Sequence, residues 1–102
     1  MLHHFDDQIQ LVALTHDIVD GFAVEHQTRT EVWADRRSVT RAEYYQATQS
    51  GVKADIVFTV NAIDYDGQSV VVCDGVEYDV IRTYQSELDH IDLTCSRRGV
   101  RK

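Results

Sequence analysis

Apolar and polar side chains alternate along much of this chain with a period of two, the spacing that a half-buried β-strand imposes. Ala54, Ile56, Phe58 and Val60 fall on one face of a run covering residues 54–60. Val76, Tyr78 and Val80 alternate with Glu77 and Asp79, and Ile91, Leu93 and Cys95 alternate with Asp92, Thr94 and Ser96. Each of these three segments reads as a strand with one face turned inward.

Turn chemistry divides the rest. Asp74-Gly75 stands directly between Val70-Val71-Val72-Cys73 and residues 76–81. A two-residue Asp-Gly link tolerates positive φ and is a strong short-range hairpin signal. Asp66-Gly67 marks a second turn. Nearer the start, residues 9–14 and 22–26 are candidate strands flanking His16-Asp17-Ile18-Val19-Asp20-Gly21, with Asp20-Gly21 supplying the turn. Residues 31–37, containing Val32, Trp33 and Ala34, read as a further strand. Counted this way there are seven short strands, and the expected fold class is mainly β: a small barrel of about six to seven antiparallel strands.

One segment departs from the alternation. Thr40-Arg41-Ala42-Glu43 has the form of a capping box, in which the threonine hydroxyl and the glutamate carboxylate satisfy two free amides reciprocally. A short helix over residues 41–49 is expected, stopped by Ser50-Gly51. It is too short to persist alone in water, so Ala42, Tyr45 and Gln49 are expected to pack on the sheet, with the helix plugging or covering one end of the barrel.

With 102 residues, the chain suits one domain: a barrel over residues 9–97, a flexible start over 1–7 and a basic tail over 98–102. Apolar residues at 43% and charged residues at 26% are those of a folding chain rather than a disordered one. No apolar run reaches the roughly 20 residues that span a bilayer, and the first residues lack a signal-peptide pattern. A soluble chain made in the cytoplasm, with no membrane contact, is expected. The net charge is −7 although Arg97, Arg98, Arg101 and Lys102 crowd the C-terminus, so the body ahead of them is more acidic still. Such a body repels phosphate. Cys73 and Cys95 lie in apolar runs without CxxC spacing and are expected as buried thiols.

Candidate chemistry changes this picture little. No nucleophile with a base, carboxylate pair or full metal-ligand set converges in the sequence. His3-His4 with Asp6 or Asp7 is the nearest to a metal site, and a solvated terminus is the preferred reading. His26 and His90 beside strands read as structural, hydrogen-bonded histidines. Asp64 and Asp66 flank Tyr65 without EF-hand spacing and read as a solvated turn. No catalytic residue, metal or cofactor is expected. Trp33 and Tyr45 are assigned to the core, and Tyr44 to the surface or an interface. Arg36, Arg37 and Arg41 surround these aromatics and could meet a neighbouring subunit's carboxylates. Two other readings stay open: an OB-like barrel that binds nucleic acid or a ligand through exposed aromatics, and, with no constellation behind it, a small enzyme using His26, His90 or Cys95.

The run Glu31-Val32-Trp33-Ala34-Asp35-Arg36-Arg37-Ser38-Val39-Thr40-Arg41-Ala42-Glu43-Tyr44-Tyr45-Gln46-Ala47 resembles the centre of phage head-tail joining (head-completion) proteins, where a VWA strand leads into a short helix carrying EYY or EYF. Residues 70–81 and 91–95 are similar to that family's Asp-Gly hairpin and final strand, in the same order over residues 9–97. Residues 53–60 are less basic than is usual there, and residues 61–66 lack the frequent proline or methionine.

The resemblance implies a non-enzymatic barrel that joins copies of itself, twelve by analogy, into a ring at the virion neck. Its partners would be the portal or adaptor ring, the tail or a tail-terminator protein, and double-stranded DNA passing without sequence-specific binding. A tail-terminator-like role is the nearest variant. On this reading Trp33, Arg36, Arg37, Arg41, Tyr44, Thr48 and Lys53 are expected at subunit or partner interfaces, with residues 48–53 and the tails ordering on docking, and Asp64 and Asp66 are expected to face the channel.

Overall fold

Two Asp-Gly pairs set the register of the sheet. Asp20 and Gly21 have φ of 52° and 81°, and Asp74 and Gly75 have φ of 52° and 78°. Positive φ at both central residues is what a two-residue type I′ hairpin needs, and its twist matches that of the strands it joins. In the computed structural model, which describes residues 5–85 and 87–98, the first pair joins β1 (Asp7–Val19) to β2 (Phe22–Arg37). The second joins β4 (Val70–Cys73) to β5 (Val76–Tyr84). Helix α1 (Arg41–Gln49), strand β3 (Ile56–Asn61) with a 3-10 turn at Ala62–Asp64, and β6 (His90–Arg97) complete the order.

All six strands pair antiparallel and close in the order β1-β2-β3-β6-β5-β4. The alternation therefore identifies the fold class correctly: a mainly β barrel with one helix at residues 41–49. Among the described residues there are six strands, the lower of the expected numbers, because residues 22–26 and 31–37 are two parts of β2. The intervening Gln27-Thr28-Arg29-Thr30 contains no glycine or proline, and β-branched threonines favour extension. Likewise His16 to Val19 are strand, paired with residues 25 to 22, and only Asp20 and Gly21 make the turn.

The barrel interior is filled by Ile9, Leu11, Val32, Ala34, Phe58, Val60, Val71, Cys73, Leu93 and Cys95. Phe58 is fully buried, and Tyr78 meets it edge-on at 5.6 Å between ring centres. Strand β3 is covered on both faces, since Val57 and Thr59 are buried as well. The Thr59 hydroxyl is satisfied by donating to Asp92 Oδ1 at 2.6 Å. Along β5 the register slips between Val80 and Arg82, a bulge that re-aims Ile81 and Arg82.

The molecule measures 50 × 32 × 24 Å with a radius of gyration of 14.6 Å. A compact chain of this length would have about 13 Å. The excess follows from strand lengths: β1 and β2 have 13 and 16 residues, yet β1 meets β4 only over residues 10–12 and β2 meets β3 only over residues 34–37. Beyond Val12, residues 13–19 of β1 and 22–28 of β2 pair only with each other and form a two-stranded ribbon outside the barrel.

Phe58→Ala should lower the unfolding free energy by about 3–5 kcal/mol, the usual cost of emptying a packed phenylalanine site. Urea unfolding checks it; a loss below about 1 kcal/mol would show that Phe58 does not anchor the barrel.

Candidate assembly surfaces

The ribbon is the first feature that the barrel does not explain. From Thr15 to the turn and back to Thr30 every residue is exposed except Val24, which is half-buried. Across its strands His16 Nε2 lies 3.7 Å from Glu25 Oε2 and His26 Nε2 lies 3.3 Å from Asp17 Oδ2, all four side chains being exposed. Arg29 donates to Gln10 Oε1 at 2.8 Å nearer the root. At the tip Ile18 and Phe22 are each 74% exposed, and Val19 is exposed between them. Apolar side chains so placed gain nothing within this chain.

At the other end of the barrel, Arg36 closes the mouth. It lies opposite Phe58 in the β2–β3 register and so points inward. Its guanidinium lies 3.5 Å from Asp7 and 3.7 Å from Asp74, with Cys73 Sγ at 3.8 Å.

Arg37 points outward from the next position and holds the helix. Its two terminal nitrogens donate to the two Glu43 oxygens at 3.0 and 2.9 Å, and one of them lies 3.5 Å from Asp92 on β6. A planar guanidinium matched to a carboxylate in this way is both strong and directional. Glu43 also completes the capping box: its Oε1 accepts from the Thr40 amide at 2.8 Å, while the Glu43 amide donates to Thr40 Oγ1 at 3.2 Å. The Arg37 bond, ahead of the Thr40 amide, holds the Glu43 carboxyl well below the usual range, pushed down to about 2 against the opposing effect of burial. The helix ends in a Schellman motif, in which Val52 donates to the Ala47 carbonyl and Gly51, at φ +80°, to the Thr48 carbonyl.

Glu43 and Ala47, not Ala42, Tyr45 and Gln49, face the barrel. Ala42 and Gln49 are exposed, and Tyr45 is 58% exposed. The Arg37 clamp dictates this rotation, since the face carrying Glu43 must turn inward and Ala47 follows at i+4. The helix lies against the barrel wall instead of plugging an end: Gln46, Ala47 and Val52 line a groove of about 280 Å³ with Ile81, Arg82 and Thr94 of β5 and β6.

The expected interface residues separate into groups. Trp33 is 53% exposed on the outer face of β2, beside Phe5, Asp6 and Asn61, and is not core. Its neighbours Val32 and Ala34 point inward, so alternation leaves it outside. Arg36 and Arg37 meet carboxylates of their own chain, while Arg41 is exposed on the first turn of α1. Tyr44 is exposed and packs edge-on against Tyr45 at 6.1 Å. Thr48 donates its hydroxyl to the Tyr44 carbonyl at 2.9 Å, and exposed Lys53 lies 3.8 Å from Asp55. Asp64 and Asp66 lie in the loop between β3 and β4, at the barrel end from which the ribbon leaves. That loop is fixed by the Tyr65 hydroxyl donating to the Gln68 carbonyl and the Asp66 amide donating to Gln68 Oε1.

Parts of both termini are described. Asp7 is already in β1, Phe5 packs 5.3 Å from the His90 ring, and Arg98 is tied to Glu77 and Asp79. Residues 1–4 and 99–102, including His3, His4 and most of the basic tail, lie outside the described residues. His90 Nδ1 is 2.8 Å from Glu87 Oε1. Both cysteines are buried free thiols; burial pushes Cys95 up to about 12 and also raises Cys73, where Asp74 adds to the effect.

Sequence reasoning missed the apolar ribbon tip and the groove. The first had a signal in the unbroken extended pattern on both sides of Asp20-Gly21. The second had none, because residues 46–52 and 81–94 meet only through the tertiary fold.

A closed six-stranded barrel with one helix clamped to its wall by Arg37 and one ribbon projecting from it defines a small β-barrel protein. The chain matches the family model for phage head completion protein over residues 3–98 and belongs to that family. Its role is structural, in the phage head, among the other head and tail components of the virion. No curated protein sequence matches it.

The Arg37–Glu43 bridge should make stability depend on acid. The folded state favours the ionised Glu43, so this contribution is complete above the unfolded value near 4.5 and is lost as pH falls towards about 2. Glu43→Gln should flatten that part of a denaturation-versus-pH curve; an unchanged slope would exclude the clamp. The thiols give a second check. Neither should react with a thiol-specific chromogenic reagent in the native protein at about pH 7.5, and both should react in urea.

Proposed function

We propose that copies of this chain join head to tail into a closed ring at the virion neck, beneath the portal or its adaptor ring, and present the next surface to the tail. The observation that carries this reading is the asymmetry of the barrel. One wall extends into an acidic ribbon with an apolar tip, and the opposite wall carries the α1 groove. Two unlike patches on opposite walls make heterologous contacts, which close into rings when the rotation permits. Membership of the head completion family supports a place at the head-tail region. Twelve copies is the expected number, and native mass measurement of isolated necks reads it directly.

Within this ring the ribbon end carries the fixed Asp64–Asp66 loop. Carboxylates there would line the lumen and keep DNA from binding, because each phosphate contact slows passage and makes it salt-dependent. Trp33, Arg41, Tyr44 and Lys53 remain on the outside, available to the portal, the tail or a neighbouring copy. A tail-terminator role is separated by phenotype: loss of a head-closing ring leaves heads that leak DNA, whereas loss of a terminator leaves sound heads and tails of irregular length.

The exposure of Trp33 favours a second reading, a nucleic-acid platform on which bases stack. The acidic body opposes it. Filter binding of single-stranded DNA at low salt distinguishes them, since retention that disappears with Trp33→Ala supports the platform.

Particles carrying Asp64→Lys and Asp66→Lys should assemble but eject DNA more slowly, with the delay shrinking as salt rises. Ejection kinetics equal to the unsubstituted particle would remove these residues from the lumen.

A further inference from the structure

The ribbon tip and the α1 groove are complementary in shape, charge and position. Val19 and Phe22 are directly opposed across the turn and share one face, while Ile18 and Ala23 share the other. The tip is therefore apolar on both faces, a form suited to entering a groove rather than lying flat. Residues 13–28 contain Asp17, Asp20 and Glu25 and neither lysine nor arginine. The groove has Ala47, Val52 and Ile81 for its apolar lining and Arg82 at its wall, with Lys53 next to Val52. Its one carboxylate, Glu43, is matched by Arg37. A volume of about 280 Å³ falls below the usual range of small-molecule pockets, about 300–1,000 Å³, and suits one or two inserted side chains.

Position decides the occupant. In the closed order β1-β2-β3-β6-β5-β4, strands β5 and β6 lie diametrically across from β1 and β2. The ribbon of a chain leaves the wall opposite its own groove, so the groove's occupant is a second copy. The free part of β1, residues 13–19, extends about 23 Å at roughly 3.3 Å per residue, comparable with the 24 Å short axis of the molecule. Strands of a closed barrel run obliquely to its axis, so the ribbon leaves sideways as well as endwise.

We propose that the Asp20–Gly21 tip of each copy seats in the groove between α1 and β5–β6 of the next copy, with Phe22 and Ile18 as the inserted side chains and Arg82 facing the tip carboxylates. This rests on the ring reading and names its subunit contact. The contact is directional, and it covers an apolar tip that an isolated two-stranded ribbon leaves in water.

Cross-linking in assembled particles tests it. With Phe22→Cys and Gln46→Cys in one chain, mild oxidation should give a ladder of covalent multimers on a denaturing gel, because each copy offers one half of two different links. The unsubstituted chain, whose own thiols are buried, should give none. Native mass measurement of isolated necks reports whether copies adjoin at all. A multimer by mass with no disulfide ladder would overturn the tip-in-groove contact and leave the ring standing; finding neither a multimer nor a ladder would overturn both. A product stopping at the dimer, or a disulfide from the Phe22→Cys thiol to a different virion protein, would also overturn the proposal. A charge exchange gives an independent reading: Arg82→Glu should reduce ring formation about tenfold at low salt, and adding Asp20→Arg should restore it. Normal assembly of the Arg82→Glu protein would count against the contact. Circular dichroism and the urea midpoint of each variant should match the unsubstituted protein, since every altered side chain is exposed or lines an open groove.

Discussion

Barrel closure limits how much of each strand the core can use. Strand β4 offers β1 three paired positions, and β3 offers β2 four. Strands of 13 and 16 residues exceed this, and their surplus has only one hydrogen-bonding partner left, namely each other. A ribbon is the unavoidable result. Its existence is thus a consequence of closure, and its chemistry is free of the packing demands that fix the residues inside.

The second organising contact is Arg37. It stands where β2 ends and the chain turns towards α1, and it reaches Glu43 on the helix and Asp92 on β6 at once. Asp92 in turn accepts from Thr59 of β3. One guanidinium therefore connects the helix cap to two neighbouring strands of the wall. Without a buried apolar face of its own, α1 depends on this connection for its orientation. The groove beside it inherits its shape from the same contact.

Much of the fold was legible because its signals are local. Alternation located the inward faces of β3, β5 and β6, Asp-Gly pairs located two hairpins, and Thr40 with Glu43 located the helix to the residue. Errors arose where a local signal met a tertiary choice. Tyr45 and Trp33 are large and aromatic, which argues for burial, yet the Arg37 clamp turns the Tyr45 face outward and the period of two places Trp33 opposite the core. The upper figure of seven strands divided β2 in two because a polar stretch, Gln27 to Thr30, resembles a loop by composition although nothing in it breaks extension. The groove could not be read at all, since its two halves are far apart along the chain and have no common motif. The family, by contrast, was legible from the order of weak motifs along the chain.

The burial of both thiols has a meaning beyond stability. A virion component in a released particle has no reductase to reverse damage and no synthesis to replace it. Cys95 is sealed in the core and held as the uncharged thiol, and Cys73 is nearly as well covered behind Arg36. Sulfur so protected is neither an attacking thiolate nor accessible to peroxide. Both thiols should therefore keep the same oxidation state in an old particle as in a newly released one.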